Sequence, residues 1–169
     1  LPKIIVVVHM AGQSCDMVEL AKLGNKYNFK IIEDASHAIG GKYKKKYIGN
    51  CEYSEATIFS FHPVKIITTG EGGAVVTNNS ELAQSIRLFR SHGITREIDP
   101  KTIDREGDWY YEQVDLGFNY RMTDIHAAIG LNQLKRLDQY VHRRNELAEN
   151  YFNLLSDLPI DLPRVKKDC

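Results

Sequence analysis

The segments KIIVVVH (residues 3–9) and FKIIED (residues 29–34) decide the fold, because both are apolar, β-branched runs without regular polar alternation. Such runs are typical of strands that are buried on both faces of a parallel sheet. Residues 16–27 lie between them and carry apolar side chains at helical spacing, with Ser14 or Asp16 available as a cap. Strand, helix and strand form a βαβ unit with a right-handed crossover. The sequence therefore predicts an α/β fold with a mostly parallel sheet and flanking helices.

Further elements are expected along the chain. Residues 56–61 and 73–77 predict two more buried strands, and residues 40–49 predict a short exposed hairpin. Ser80 is expected to cap the helix that follows. The segment from 95 to 113 is polar and charged, so we expect a long loop there, which in a compact domain is usually functional or mobile.

Composition and charge describe a globular chain without a general affinity for polyanions. The 169 residues are enough for one domain with a core, and 22 basic residues balance 22 acidic ones. This balance gives no electrostatic reason to expect nucleic acid or an acidic membrane as a partner. No apolar run reaches membrane-spanning length, and the three cysteines are widely spaced. We therefore expect reduced thiols, no metal site and a cytoplasmic location.

Polar side chains stand at the carboxyl ends of three predicted strands. His9 ends the first strand, Glu33 and Asp34 end the second, and Ser60 lies at the end of the third. In open α/β sheets the carboxyl ends of the strands form the ligand crevice, so these residues are expected to converge there. Adjacent residues of a strand point to opposite faces, so only one of Glu33 and Asp34 can face a ligand. This pattern alone fits many nucleotide and phosphate enzymes.

Three motifs carry a more specific signal, namely EDASHAIGG (33–41), FSFHPVKIITTGEGG (59–73) and GFNYRM (117–122). In this order they resemble the DegT-type nucleotide-sugar aminotransferases, which are fold-type I enzymes that use pyridoxal 5'-phosphate (PLP). The resemblance covers essentially the whole chain. The runs at 7–17 and 108–130 are similar to the subgroup of the pseudaminic-acid pathway. The resemblance implies transamination of a UDP-linked 4-keto-6-deoxy-N-acetylated sugar, with glutamate as the amino donor.

The resemblance implies roles for two residues at the centre of this chemistry. Lys65 occupies the position of the lysine that forms an imine with the PLP aldehyde and that moves a proton during transamination. Asp34 matches the aspartate that pairs with the pyridine nitrogen and keeps the ring protonated as an electron sink. Outside these motifs the lysine would be read as a surface residue and the aspartate as the cap of a turn.

Three more residues match cofactor contacts of the family. His37 corresponds to a Gln or His near the ring oxygen, although a packed or exposed histidine remains an alternative. Ser60 matches a hydroxyl that binds the PLP phosphate. Asn119 matches an asparagine that reaches the phosphate in the neighbouring subunit, which implies a homodimer with shared active sites.

Three residues are expected near the substrate. Tyr120 and Arg121 follow Asn119 in the third motif and are candidates for lining the sugar site. His9 can face the cofactor ring or the sugar, and a plain structural histidine explains it equally well.

The resemblance also implies a domain organisation. Residues 1–122 are expected to form part of the large PLP-binding domain, and residues 123–169 a connecting helix and the start of the small domain. Residues 123–154 have a strongly helical pattern, in two pieces. Family members are more than twice as long and this chain opens on Leu1, so we expect an internal fragment that is inactive by itself.

Two other functions fit the same scaffold. PLP-dependent sugar dehydratases are relatives that carry histidine where this chain has Lys65. A non-catalytic cofactor-binding relative is the second alternative. Lys65 argues against the dehydratase, and the intact set of Lys65, Asp34 and Ser60 argues against the non-catalytic relative.

Overall fold

The computed structural model describes residues 1–97, 107 and 109–169. Within these residues the elements are, in chain order, β1 (Ile4–Val8), α1 (Met17–Tyr27), β2 (Lys30–Asp34), β3 (Lys42–Tyr43), β4 (Lys46–Tyr47), β5 (Ala56–Ser60), β6 (Gly73–Val76), α2 (Ser80–Arg90), β7 (Ile94–Thr95), β8 (Glu112–Gln113), α3 (Asp124–Leu134) and α4 (Leu137–Leu155). They group into two compact units. One unit is Leu1–Asn78 with Thr123–Cys169, and the other is Asn79–Met122.

The first unit is built around a four-stranded sheet with the strand order β1–β2–β5–β6. β1, β2 and β5 run parallel, and β6 runs antiparallel to β5. Glu33 of β2 pairs with Thr57 of β5, and Asp34 pairs with Ile58. The predicted α/β fold with a mostly parallel sheet is therefore confirmed.

The two faces of this sheet differ in burial. Val7 and Ile31 point to a covered face, where they pack with Met17 of α1 in the main hydrophobic cluster. On the opposite face Val6 is 57% exposed and Val8 is 43% exposed. The expectation that both faces of the strands are buried is wrong for this structure, because α1 covers only the face that carries Val7 and Ile31.

Side-chain caps start three of the helices. Asp16 accepts a hydrogen bond from the Glu19 N–H at the start of α1, as one of the two predicted caps. At α2 the cap is Asn79, whose side chain accepts from the Leu82 N–H at 3.0 Å. The expectation that Ser80 caps α2 is wrong, because Ser80 is already the first residue of the helix.

The predicted hairpin is confirmed as β3 and β4, which pair antiparallel. Its two turn residues, Lys44 and Lys45, both have positive φ, at 48° and 69°. Positive φ at both central residues is typical of hairpin turns that match the twist of the flanking strands. It is an uncommon conformation for lysine, because the side chain makes the left-handed region less favourable than it is for glycine.

The second unit contains α2 and the short antiparallel pair of β7 and β8. This pair joins the two ends of the segment that was expected to be a loop over residues 95–113. That expectation is therefore wrong at the ends, where Thr95 pairs with Glu112. Residues 98–106 and 108 of the segment lie outside the described residues.

The C-terminal helices form in two pieces, as predicted, and Thr123 caps α3 by accepting from the His126 N–H. They belong to the first unit. Two glycines mark close contacts of these helices. A Cβ on Gly130 of α3 would lie 2.8 Å from the Thr69 side chain, and a Cβ on Gly40 would lie 2.8 Å from Val141 of α4. The domain division at residue 122 concerns the whole enzyme and stays a prediction.

None of the described helices combines the length and the apolar composition that crossing a membrane requires.

Candidate active site

Asp34 lies at the C-terminal end of β2 and is half-buried on the more open face of the sheet. Its backbone continues the sheet ladder, because the Asp34 carbonyl accepts from the His9 N–H at 3.0 Å. The Ser36 N–H donates to its carboxylate at 3.0 Å. Hydrogen bonds from Ser36 lower the pKa of Asp34 below its ordinary value, and His37 and Lys65 add smaller contributions in the same direction. Asp34 is therefore an ionised carboxylate at neutral pH.

Lys65 lies in the loop that joins β5 to β6, and it is half-buried. Phe61 anchors this loop at its base, because its N–H donates to the Gly72 carbonyl at 2.8 Å and its carbonyl accepts from Thr69 N–H and Thr68 Oγ1, each at 3.0 Å. Inside the loop the Lys65 N–H donates to the His62 carbonyl at 2.9 Å. The backbone that carries Lys65 is thus held by defined hydrogen bonds. This loop follows the C-terminal end of β5, and β5 pairs in parallel with β2, which ends at Asp34, so the two predicted residues belong to the same end of the sheet.

The TTGEGG run (68–73) forms a tight turn after Lys65. Gly70 has φ of 86°, a left-handed conformation that favours glycine. The Thr68 hydroxyl accepts from the Gly70 N–H at 2.9 Å, which holds the turn.

Ser60 ends β5 on the same side of the sheet as Asp34. Asp34 pairs with Ile58, and Ser60 is two residues further along the same strand, so alternation puts their side chains on one face. Its hydroxyl is half-buried and accepts weakly from the His62 N–H at 3.4 Å.

His37 lies three residues after Asp34 and is half-buried. Its Nδ1 accepts from the Ala11 N–H at 3.4 Å, which ties it to the loop after β1. In a neutral imidazole the other nitrogen, Nε2, then carries the proton and can donate it.

His9 differs from the other predicted site residues, because its side chain is 0% exposed. Nε2 lies 2.7 Å from a carboxylate oxygen of Glu33, and Nδ1 accepts from the Cys15 N–H at 3.2 Å. Both ring nitrogens are occupied inside the protein. This geometry favours the structural role that the sequence left open, over direct contact with cofactor or sugar.

Glu33 is 5% exposed and belongs to the same buried cluster. Burial raises its pKa, but hydrogen bonds from His9, Ser54 and Thr57 outweigh that effect and the pKa is lowered overall. Thr57 Oγ1 donates to Glu33 at 3.2 Å and Ser54 Oγ donates to the same oxygen. Sequence reasoning missed Ser54 and Thr57. Thr57 carried a usable signal as a polar residue inside the apolar run 56–61, whereas Ser54 carried none.

The remaining predicted residues belong to the second unit. Asn119 is exposed and bridges to Ser91 in the backbone. The Tyr120 ring stacks on Phe118 with ring centroids 4.9 Å apart and is 72% exposed. Arg121 is exposed as well. All three therefore present side chains on the surface of their own unit.

A profile of the DegT/DnrJ/EryC1/StrS aminotransferase family matches residues 2–168 of the chain. The chain belongs to this family. The UDP-4-amino-4,6-dideoxy-N-acetyl-beta-L-altrosamine transaminase of Campylobacter jejuni is 47% identical over 147 residues, which are 87% of this chain and 36% of that relative. The chain spans 36% to 42% of the length of such curated relatives.

Solved structures of the DegT/DnrJ/EryC1/StrS family superpose on the same region. PseC of Helicobacter pylori, an aminotransferase involved in the biosynthesis of pseudoaminic acid, matches with a TM-score of 0.82 at 39% identity, over 92% of this chain and 39% of PseC. Spr1654 of Streptococcus pneumoniae in its PLP form matches with a TM-score of 0.83 at 28% identity, over 98% of this chain and 45% of that one. The fold of this chain is thus part of an aminotransferase fold.

Proposed function

We propose that this protein is a PLP-dependent aminotransferase whose catalytic lysine is Lys65. The observation that carries the proposal is the topology around Lys65 and Asp34. Asp34, an ionised carboxylate, ends β2, and the amine of Lys65 lies in the loop that follows β5, the parallel neighbour of β2. This donor set fits PLP, since a carboxylate complements a protonated pyridine nitrogen and a lysine amine complements an aldehyde. PLP, when bound, supplies an electron sink that makes the amino-bearing carbon of a substrate acidic.

Each of four residues of this chain would have its own role at the bound cofactor. Asp34 holds a proton on the ring nitrogen, because its own pKa is low enough for the carboxylate to remain ionised. The free amine of Lys65 carries a proton to and from the reacting carbon. His37 donates from Nε2 to the ring oxygen, and Ser60 donates its hydroxyl to the phosphate.

We further propose the substrates and the assembly. The sugar substrate is a UDP-linked 4-keto-6-deoxy-N-acetylated sugar and the amino donor is glutamate, a proposal supported by similarity to the Campylobacter jejuni transaminase and to PseC. Asn119 would reach the phosphate in a partner subunit of a homodimer, with Tyr120 and Arg121 near the sugar. The exposure of all three is compatible with an intersubunit role. We place this chemistry in the cytoplasm.

Borohydride reduction tests the assignment of Lys65 directly. The full-length protein is loaded with PLP, reduced, digested and mapped by mass spectrometry. We expect the cofactor on the peptide that contains Lys65, and we expect Lys65→Arg to lose the label. Lys42→Arg is the matched control, because Lys42 lies in the exposed hairpin, and this variant should keep the label.

The possible outcomes separate the alternatives. A label on another lysine, or none, would contradict the proposal. Product analysis with the keto sugar distinguishes an amino sugar, which supports transamination, from a deoxygenated sugar, which indicates a dehydratase. A label on Lys65 without any half-reaction with an amino donor indicates a non-catalytic relative.

A further inference from the structure

His9 is a buried histidine whose protonation pattern follows from its partners. Nδ1 accepts from the Cys15 N–H at 3.2 Å, so in the neutral ring the proton is on Nε2. Nε2 therefore donates to the Glu33 carboxylate at 2.7 Å. With both ring nitrogens bound inside the protein, His9 has no remaining donor or acceptor for a substrate.

His9 contacts two consecutive residues of β2. Its side chain binds Glu33, and its backbone N–H donates to the carbonyl of Asp34 at 3.0 Å. The Asp34 side chain points to the opposite face from Glu33, because the two residues are adjacent in a strand. Any rotation of the strand that turns Asp34 away from the cofactor face would therefore have to break the His9–Glu33 hydrogen bond.

The second carboxylate oxygen of Glu33 connects the His9–Glu33 pair to β5 and to the residues just before it. Ser54 and Thr57 both donate to it, and Thr57 is 0% exposed. Within the described residues, no buried side-chain nitrogen or oxygen is left without a hydrogen-bond partner. The cluster thus joins the C-terminal ends of β1 and β2 to the start of β5 through one fully satisfied carboxylate, which is the condition for a rigid buried network.

His9 also closes the loop that contacts His37. The loop leaves β1 at His9 and returns to it at Cys15, whose N–H binds His9 Nδ1. Ala11 lies in this loop with φ of 54°, and its N–H donates to His37 Nδ1 at 3.4 Å. The orientation of His37 therefore depends on a loop whose closure depends on His9.

We propose that His9 and Glu33 are positioning residues, which hold Asp34 and His37 in the orientation that the cofactor requires. Neither residue touches the cofactor, and they act from the opposite, covered face of the sheet. This inference rests on the proposed function, because it assigns Asp34 and His37 to PLP. In this proposal His9 positions Asp34 and His37 from the covered face of the sheet, and it does not contact the cofactor or the sugar, as the sequence had allowed.

The test compares four variants of the full-length protein. His9→Ala and Glu33→Ala break the network, whereas Glu33→Gln keeps it, since the amide oxygen accepts from His9 and the amide NH2 donates to the two hydroxyls. Ile31→Val is the control for a plain loss of stability, because Ile31 is 4% exposed on the same strand and face but contacts a different cluster. For each variant the PLP dissociation constant is measured by absorbance titration, together with kcat, the KM of the keto sugar and the melting temperature.

The positioning role predicts a distinct pattern. We expect His9→Ala and Glu33→Ala to weaken PLP binding and to lower kcat by ~10-fold to ~100-fold each, as misplaced site groups do, with little change in the sugar KM. Their bound cofactor should show an altered absorbance spectrum, because the ring nitrogen loses a well-placed carboxylate. Glu33→Gln should recover most of the PLP affinity. Ile31→Val should lower the melting temperature and leave PLP affinity and spectrum unchanged.

Two results would overturn the inference. One is a lower melting temperature in His9→Ala and Glu33→Ala with wild-type PLP affinity, spectrum and kcat, which defines a purely structural cluster. The other is a loss in Glu33→Gln as large as in Glu33→Ala, which means that hydrogen-bond geometry is not what matters. If His9→Ala fails to fold, Glu33→Gln and Glu33→Ala still decide between these results. Failure of the wild-type protein to bind PLP would instead refute the proposed function.

Discussion

At the scale of single residues, Glu33 and Asp34 show how one strand gives two carboxylates opposite surroundings. Glu33 is buried among three hydrogen-bond donors, whereas Asp34 is half-buried on the other face. The pKa of each is lowered, by different means. For Glu33 hydrogen bonds overcome a desolvation penalty, and for Asp34 the main cause is hydrogen bonding to Ser36. Only Asp34 is left accessible for a ligand.

Glu33 gives the protein an acid-dependent stability. Its pKa in the folded state lies below the ordinary value of 4.5, so the ionised group stabilises the fold above that pH, and this contribution is lost as the pH falls through the lowered pKa. We expect the melting temperature of the wild type to fall upon acidification below about pH 4.5, and that of Glu33→Gln to fall less. Glu52→Gln is the control, because its pair with Lys46 is exposed to solvent and such pairs contribute little to stability. Parallel curves for wild type and Glu33→Gln would contradict this assignment.

At the scale of elements, α3 supports the loop that carries Lys65. Gly130 of α3 lies against Thr69, which is 1% exposed and whose N–H donates to the Phe61 carbonyl at the base of that loop. A Cβ at Gly130 would come within 2.8 Å of Thr69 Cγ2. Helix and loop are therefore in contact at a point where there is no room for one methyl group.

Gly130→Ala tests this contact, because two effects of opposite sign compete. Alanine favours a helix by ~1 kcal/mol over glycine, but overpacking a buried contact costs ~1–3 kcal/mol. We expect a net loss of stability in urea denaturation, together with weaker PLP binding. Thr69→Ser removes the obstructing methyl and keeps the hydroxyl bond to the Glu71 carbonyl. The double variant Gly130→Ala with Thr69→Ser should therefore be at least as stable in urea as Thr69→Ser alone. A single Gly130→Ala variant that is more stable than the wild type would show that the contact relaxes freely.

At the scale of the whole molecule, the face of the sheet that carries Asp34 and Ser60 is the less covered one. Val6, Val8 and Ile58 on this face are each more than a third exposed. The chain also spans only 36% to 42% of the length of curated relatives. The expectation that these 169 residues hold part of the machinery and do not catalyse by themselves stays a prediction.

Shared active sites predict a specific result from mixing subunits. If Asn119 serves the partner's cofactor, a heterodimer of Lys65→Ala with Asn119→Ala contains one intact site and one doubly altered site. Random reassociation of equal amounts should therefore restore about a quarter of the wild-type activity, since about half the dimers are mixed. Mixing Lys65→Ala with Asp34→Asn is the control. This control should restore nothing if both residues act in the same subunit. A mixture of Lys65→Ala with Asn119→Ala that has no more than half the activity of the separate Asn119→Ala protein would contradict sharing.

Local sequence determined the elements and the family of this protein. Apolar β-branched runs predicted β1, β2 and β5, because side chains of that kind pack well on a pleated, half-buried surface. The helices followed from apolar spacing, and the motifs around Asp34 and Lys65 indicated the DegT/DnrJ/EryC1/StrS family, which the profile match over residues 2–168 bears out. The cap of α2 was misassigned by one residue, since adjacent Asn79 and Ser80 are both good caps and only backbone geometry selects one.

The tertiary structure alone decided what each polar strand end does. The partners of His9 are Cys15, six residues away, and Glu33, twenty-four residues away, and no local pattern encodes the register that brings them together. Side chains alternate along a strand, so the strand pattern could state that Glu33 and Asp34 are separated but not which of them is buried, and only the family resemblance indicated Asp34 for the ligand face. That choice depends on which face α1 covers. Because α1 covers the face of Glu33, His9 and Glu33 are interior groups. Asp34 remains on the less covered face, at the same C-terminal end of the parallel strands as the loop that carries Lys65.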